Sequence, residues 1–162
     1  MGSGRLDIGA LYRSYGHSVL RRARQILGSD AEANDVLHEI FAGLVARPGQ
    51  FSGNSAPSTF LYAATTNACL ARLRDHRNRV RLLAEHVRPW TTDVDPRTLD
   101  TRVLVHAVLA ELPEDEARAA VYHHLDGMSH AEVAEVLGCS PRHVGDLLSR
   151  TTERLRDHKE AS

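Results

Sequence analysis

Aromatic side chains are scarce in this chain of 162 residues, which has three Phe, four Tyr and one Trp. Ala, Leu, Val and Arg dominate instead, a mix that favours helices over sheets packed from aromatic and β-branched residues. Nowhere do about eighteen uncharged apolar residues follow one another, and the first residues contain no apolar run of signal-peptide length, so the expectation is a cytoplasmic protein without membrane insertion. Residues 1–4, Met-Gly-Ser-Gly, have the look of an expression scar and are set aside. Two cysteines, Cys69 and Cys139, stand far apart without a CxxC pattern. Neither a disulfide framework nor a thiolate zinc site is suggested, and both are expected as buried, reduced thiols. There is no HExxH, no Gly-rich phosphate loop, no nucleophile elbow and no paired acidic motif. The ten His residues include His123, His124 and His130, but no carboxylate or thiolate is suitably placed to complete a metal set. Enzymatic chemistry, a metal and a cofactor are therefore not expected.

What is present is charge, unevenly spread. The net charge is -1, yet residues 1–84 carry eleven Arg against six acids, whereas 85–116 carry eight acids against three Arg. Lys159 is the only lysine. Such asymmetry hints at one face for a polyanion and one stretch that avoids or imitates it. Near-neutrality of the whole argues against tight DNA binding by the chain alone. A hydrophobic content of 42% excludes disorder as the default state, and the length suits one ordinary domain or two small ones.

Helical periodicity runs through most of the chain. Leu11, Tyr15, Val19, Ala23 and Ile26 follow Leu6 at helical spacing, predicting a helix over about 6–27 that stops at Gly28. Ser29-Asp-Ala-Glu32 has the form of a capping box and restarts a helix that turns Ala33, Val36, Leu37, Ile40, Phe41 and Leu44 inward. Pro48-Gly49 ends it, and Gln50 to Pro57 reads as a loop before a long third helix capped by Ser58. Leu61, Ala64 and Ala68, with Leu70 and Leu73 as further candidates, form its inner face. Periodicity disappears from about His86 to Thr98, a predicted flexible linker. Helical patterns resume at about 99–111, 114–125, 130–137 and 141–158. The punctuation there is dense: Pro113 opens a helix, Gly127 closes it, Ser129 and Glu132 form a second capping box, and Ser140-Pro141 supplies an N-cap followed by Pro at the first helical position. An all-α fold of two small helical domains follows, 5–85 and 99–160, with 86–98 as the linker.

Two features invite a nucleic-acid reading. Val133, Ala134 and Leu137 face Val144, Leu147 and Leu148 across the short turn Gly138-Cys-Ser140, which gives helix-turn-helix proportions with the second helix suited to a major groove. Plain helical packing would produce the same pattern. Residues 72–81 carry five Arg and one Asp, a run that attracts phosphates or serves as a solvated helix face.

The order of several segments resembles the two modules of the bacterial sigma-70 family in its small extracytoplasmic-function (ECF) subgroup. Leu11-Tyr-Arg-Ser-Tyr15, Ala23 to Gly28 and Asp35-Val-Leu-His-Glu-Ile-Phe41 are similar to the first part of the family's region 2, and Phe51, Phe60-Leu-Tyr62, Asn67 and Leu73 to Arg79 to the rest. Leu109-Ala-Glu-Leu-Pro113, Asp126 to Ser129, Glu132 to Gly138, Val144 and Arg150 resemble region 4. The resemblance implies a non-enzymatic subunit that takes core RNA polymerase to promoters and helps to open them. It implies docking of Asp35, His38 and Glu39 on the clamp of the largest polymerase subunit, and of region 4 near the flap of the second largest. Asp35 and Glu39, at i and i+4, also share a polar face by spacing alone. Capture of an unstacked base from the minus-ten element is implied for Phe51, Asn54, Phe60, Tyr62 and Asn67, with Arg72, Arg74, Arg77 and Arg79 on the adjacent phosphates. Ser140, Arg142, His143, Ser149 and Arg150 are the implied contacts to the minus-thirty-five element. Promoter DNA and core polymerase are thus the implied partners, with an anti-sigma factor as a further one.

The chain departs from the family's pattern in two places. Phe60, Ala63 and Thr66 stand where the family often has Trp and basic residues, and the recognition helix reads His143-Val-Gly-Asp-Leu147 in place of a more basic segment. Two rival readings follow: an autonomous helix-turn-helix transcription regulator, and a degenerate sigma-like interaction protein.

Overall fold

The computed structural model describes residues 6–53, 55–86 and 101–160, with side chains left undescribed at 80–86, 101–104 and 158. Among the described residues seven α-helices and two short irregular turns are present and no strand occurs. The chain divides into two compact units, Met1–Cys69 and Leu70–Ser162, and the division falls inside one long helix.

In the first unit, α1 (Ile8–Leu27) is capped by Asp7, whose side chain accepts from the Ala10 N–H at 3.0 Å, and ends at Gly28 in the left-handed region (φ 68°). Only Gly takes that conformation without steric cost, which is why the helix stops there. Next, α2 (Asp30–Ala46) starts at Ser29, whose Oγ accepts from the Glu32 N–H at 3.3 Å. A 3₁₀ turn at Pro48–Gln50 then leads to the loop before α3 (Pro57–His86). The expected cap at Ser58 is incorrect: Pro57 is already helical, and the Ala56 carbonyl accepts the Phe60 N–H at 3.1 Å. Proline lacks an N–H and has φ preset for a helix, so it suits the first position better than the cap-forming residue behind it. Val19, Leu37, Phe41, Leu44 and Leu61 form the core, with Leu11, Tyr15, Ile40, Phe51 and Phe60 packed partly against it.

The second unit contains the end of α3, then α4 (Thr101–Glu111), α5 (Glu114–Ala120), α6 (His130–Leu137) and α7 (Pro141–Glu160). Apart from His86, the expected linker lies outside the described residues. The helix expected over 114–125 changes character halfway. After Ala120 it widens into a π turn, Val121–Leu125, in which the Asp126 N–H reaches back to the Val121 carbonyl at 3.2 Å. His123 Nδ1 donates to the Met128 carbonyl at 2.7 Å and so secures the turn leading into α6. There the capping box is complete: Ser129 Oγ accepts from the Glu132 N–H at 3.2 Å, and the Glu132 carboxylate accepts from the Ser129 N–H at 2.7 Å. Gly138 closes α6 with φ 71°, and Ser140 Oγ accepts the His143 N–H at 3.1 Å to start α7. Val133, Ala134, Val144, Leu147 and Leu148 are all buried. Cys69 is buried and Cys139 half-buried, and both are free thiols.

Candidate functional site

Three surfaces emerge from these helices. On α2, Val36, Leu37 and Phe41 are buried while Asp35, His38 and Glu39 are exposed, as a 3.6-residue period requires of a helix lying on a core. The same exposed side continues through Ala42 to Val45, which is 64% exposed.

Around the start of α3 the aromatic residues divide between two environments. Phe51 and Phe60 meet edge to face, with ring centroids 5.3 Å apart, and both lean on the core. Tyr62 faces elsewhere. The guanidinium of Arg22 lies 4.1 Å from its ring centroid, which closes one face of the ring. Arg22 Nη2 also donates to Thr66 Oγ1 at 3.1 Å, and that hydroxyl donates to the Tyr62 carbonyl at 3.0 Å. Thr66 is thus fully buried and committed to the interior, not presented to a partner. Asn67 is half-buried, and its Oδ1 is buried without a hydrogen-bond partner. Being seven residues apart, Phe60 and Asn67 share a face of α3, while Tyr62 and Thr66 share another. Asn54 lies outside the described residues.

Further along α3, Arg79 is exposed and Arg72 half-buried. Arg74 and Arg77 meet acids within their own unit, the second: Arg74 Nη1 stands 3.8 Å from Glu114, and Arg77 Nη2 stands 3.4 Å from Glu111. Arg77 Nη1 also donates to the Ala110 carbonyl near the end of α4, at 3.4 Å. Two acids of the stretch noted in the sequence, Glu111 and Glu114, thus lie beside two of the arginines of α3.

On α7, Arg142, His143, Ser149 and Arg150 are exposed along one stripe, opposite the buried Val144, Leu147, Leu148 and Thr151. Asp146 is exposed in the middle of that stripe, four residues from both Arg142 and Arg150. Ser140 is exposed, with its oxygen engaged as the cap of α7. Buried Glu116 of α5 accepts from Arg154 Nε of α7 at 2.9 Å and ties α7 to α5.

Sequence reasoning missed Arg22, Thr65 and Thr66 as interior residues. Arg22 stands three residues after Val19 and four before Ile26, inside the apolar stripe of α1, and that position was the available signal. Thr65 and Thr66 complete the inner stripe of α3 with Leu61, Cys69, Leu70 and Leu73 but read as polar. Among the described residues no group of three or more His, Cys, Asp or Glu side chains is arranged to hold a metal, and no helix is long and apolar enough to cross a membrane.

Sigma-70 region 2 matches residues 11–79 and Sigma-70 region 4 matches residues 102–155. The ECF RNA polymerase sigma factor SigM of Mycobacterium tuberculosis is 29% identical over 147 residues, covering 90% of this chain and 73% of that protein. The ECF RNA polymerase sigma factor SigC of the same species is 30% identical over 135 residues, covering 81% and 70%. The ECF RNA polymerase sigma-E factor of Escherichia coli is 26% identical over 163 residues, covering 87% and 80%. Among solved structures, the sigma factor RpoE of Bartonella quintana, crystallised with the anti-sigma factor NepR, resembles the chain in fold, with a TM-score of 0.53 at 17% identity over 93% of this chain and 95% of that one. With both modules present in order and relatives matched along most of their length, the chain belongs to the ECF subgroup of the sigma-70 family of RNA polymerase sigma factors.

Proposed function

We propose that the chain binds core RNA polymerase and directs it to particular promoters, where region 2 assists minus-ten strand opening and region 4 engages the minus-thirty-five element. The observation that carries this reading is the ordered pair of family matches, 11–79 and 102–155, on one chain. In this reading Asp35, His38 and Glu39 meet the polymerase clamp, region 4 approaches the flap, and the chain performs no bond chemistry of its own. Phe51, Asn54, Phe60, Tyr62 and Asn67 serve an unstacked base, for which a π face contributes about 1–3 kcal/mol. Arg22 covers one side of the Tyr62 ring, so that side does not serve for stacking. Arg72, Arg74, Arg77 and Arg79 supply position and affinity rather than sequence choice. Ser140, Arg142, His143, Ser149 and Arg150 read the upstream element. The working limits of the two domains are 5–85 and 99–160, and an anti-sigma factor is a further partner.

Reconstituted transcription with core polymerase and promoter fragments tests the proposal. Promoter-dependent transcripts are expected, and the double variant Asp35→Arg, Glu39→Arg should reduce polymerase association while helicity is kept. Unchanged polymerase affinity would remove the docking assignment. A second reading, a degenerate module that occupies polymerase or an inhibitor without initiating, is favoured by Asp146 at the centre of the exposed stripe of α7. Polymerase binding without any transcript would establish it.

A further inference from the structure

Arg22 is buried in α1, only 6% exposed, in a position that the α1 stripe would otherwise give to an aliphatic residue. A cation removed from water needs compensation, and an apolar side chain of similar volume would fill the space without that demand. Part of that compensation comes from one turn of a different helix. The guanidinium covers the ring of Tyr62 at 4.1 Å and donates to Thr66 Oγ1 at 3.1 Å, and Thr66 in turn donates to the Tyr62 carbonyl at 3.0 Å. Asn67 follows immediately. A planar fork held by a stacked ring and a directional hydrogen bond restricts orientation in a way that an aliphatic contact does not. We propose that Arg22 is a positioning residue for promoter opening, fixing from α1 the plane of the Tyr62 ring and the register of the Tyr62–Asn67 turn against which an unstacked base is received.

This inference rests on the proposed base pocket. Arg22 touches no DNA in it and acts through Tyr62 and Thr66. Pre-setting the ring removes the ordering cost that a mobile platform would add when a base arrives. Arg22→Met should therefore retain the fold and polymerase association while opening the minus-ten region less.

The test uses the full chain with core polymerase and reads permanganate reactivity of minus-ten thymines beside polymerase affinity and thermal melting. Arg22→Met is expected to lower opening about tenfold, the size of one weakened stacking contact, with affinity for polymerase unchanged. Arg22→Lys, which keeps a cation near the ring, should recover part of the loss. Combined with Tyr62→Leu, Arg22→Met should add little, since both act through one ring. If Tyr62→Leu reduces opening but Arg22→Met opens as the parent does, Arg22 has no positioning role and the pocket stands. Should Tyr62→Leu itself open normally, the pocket reading fails and takes this inference with it. A loss of opening that merely tracks loss of polymerase affinity would show a structural role only. If Arg22→Met does not fold, Thr66→Val decides: it removes the hydroxyl that accepts from the guanidinium at nearly constant volume, and parent-like opening by that variant overturns the proposal.

Discussion

A buried acceptor without a partner destabilises a fold, and Asn67 carries one at Oδ1. Truncating it should therefore not weaken the protein: Asn67→Ala is expected to leave unfolding free energy unchanged or to raise it by up to about 1 kcal/mol in urea titrations. On the proposed reading the same variant opens promoters less well, so stability and function would move apart at one side chain. Residues kept for folding alone behave differently. Glu116 is 3% exposed and its carboxylate is held by Arg154, which is itself 54% exposed. Arg154→Ala would leave that charge buried. A fully buried broken pair costs about 3–5 kcal/mol, but solvent screening of the exposed partner reduces the expected loss to about 1–2 kcal/mol. Replacing Glu116 by Gln in that background should restore part of it, as a melting curve would show.

At the scale of elements, the start of α6 depends on an ionised carboxylate. The backbone N–H of Ser129, and secondarily its hydroxyl, hold the Glu132 carboxyl below its ordinary value. A lowered folded-state pKa means that the contribution is complete above the ordinary carboxylate range and is lost as pH falls through the lowered value. The Ser129 amide resonance should follow that acid transition, and Glu132→Gln, which keeps an acceptor but no charge, should abolish it. On α3 the relevant charges are borrowed. Arg74 and Arg77 already face Glu114 and Glu111, so on the proposed reading phosphates compete with carboxylates there. Half-exposed pairs of this kind contribute about 0.2–1 kcal/mol each. Glu111→Gln with Glu114→Gln should therefore strengthen non-specific duplex binding by a few-fold at low salt, with the gain vanishing at high salt where such pairs are screened. Fluorescence anisotropy across a salt series measures both limits.

For the molecule as a whole, charge balance limits what the chain does alone. Its net charge is -1, and the exposed stripe of α7 carries Asp146 between its arginines. Without polymerase, promoter duplex should bind no more tightly than about micromolar Kd at physiological salt, the range of non-specific contacts. Nanomolar binding of one duplex by the free chain would instead support an autonomous regulator. Adding core polymerase should restore promoter discrimination.

Helix positions were legible in the sequence because their signals are local. Gly28 and Gly138 end helices through a backbone conformation that L side chains resist, Ser129 with Glu132 satisfies free donors within one turn, and the Asp35 to Phe41 period separates a buried from an exposed face. The family resemblance was legible for the same reason, since its motifs sit on those helices. Ser58 was misassigned because the choice between Ser as cap and Pro57 as first helical residue depends on backbone geometry that both residues permit. What the tertiary structure alone decided is which polar groups face inward and with whom they pair. Arg22 joins Thr66 across 44 positions, and Arg77 reaches Ala110 across 33. Composition, which counted these arginines equally toward the positive charge of residues 1–84, could not tell them apart. Pairing energies depend on distance and burial in space, and neither is encoded in the local spacing from which periodicity is read.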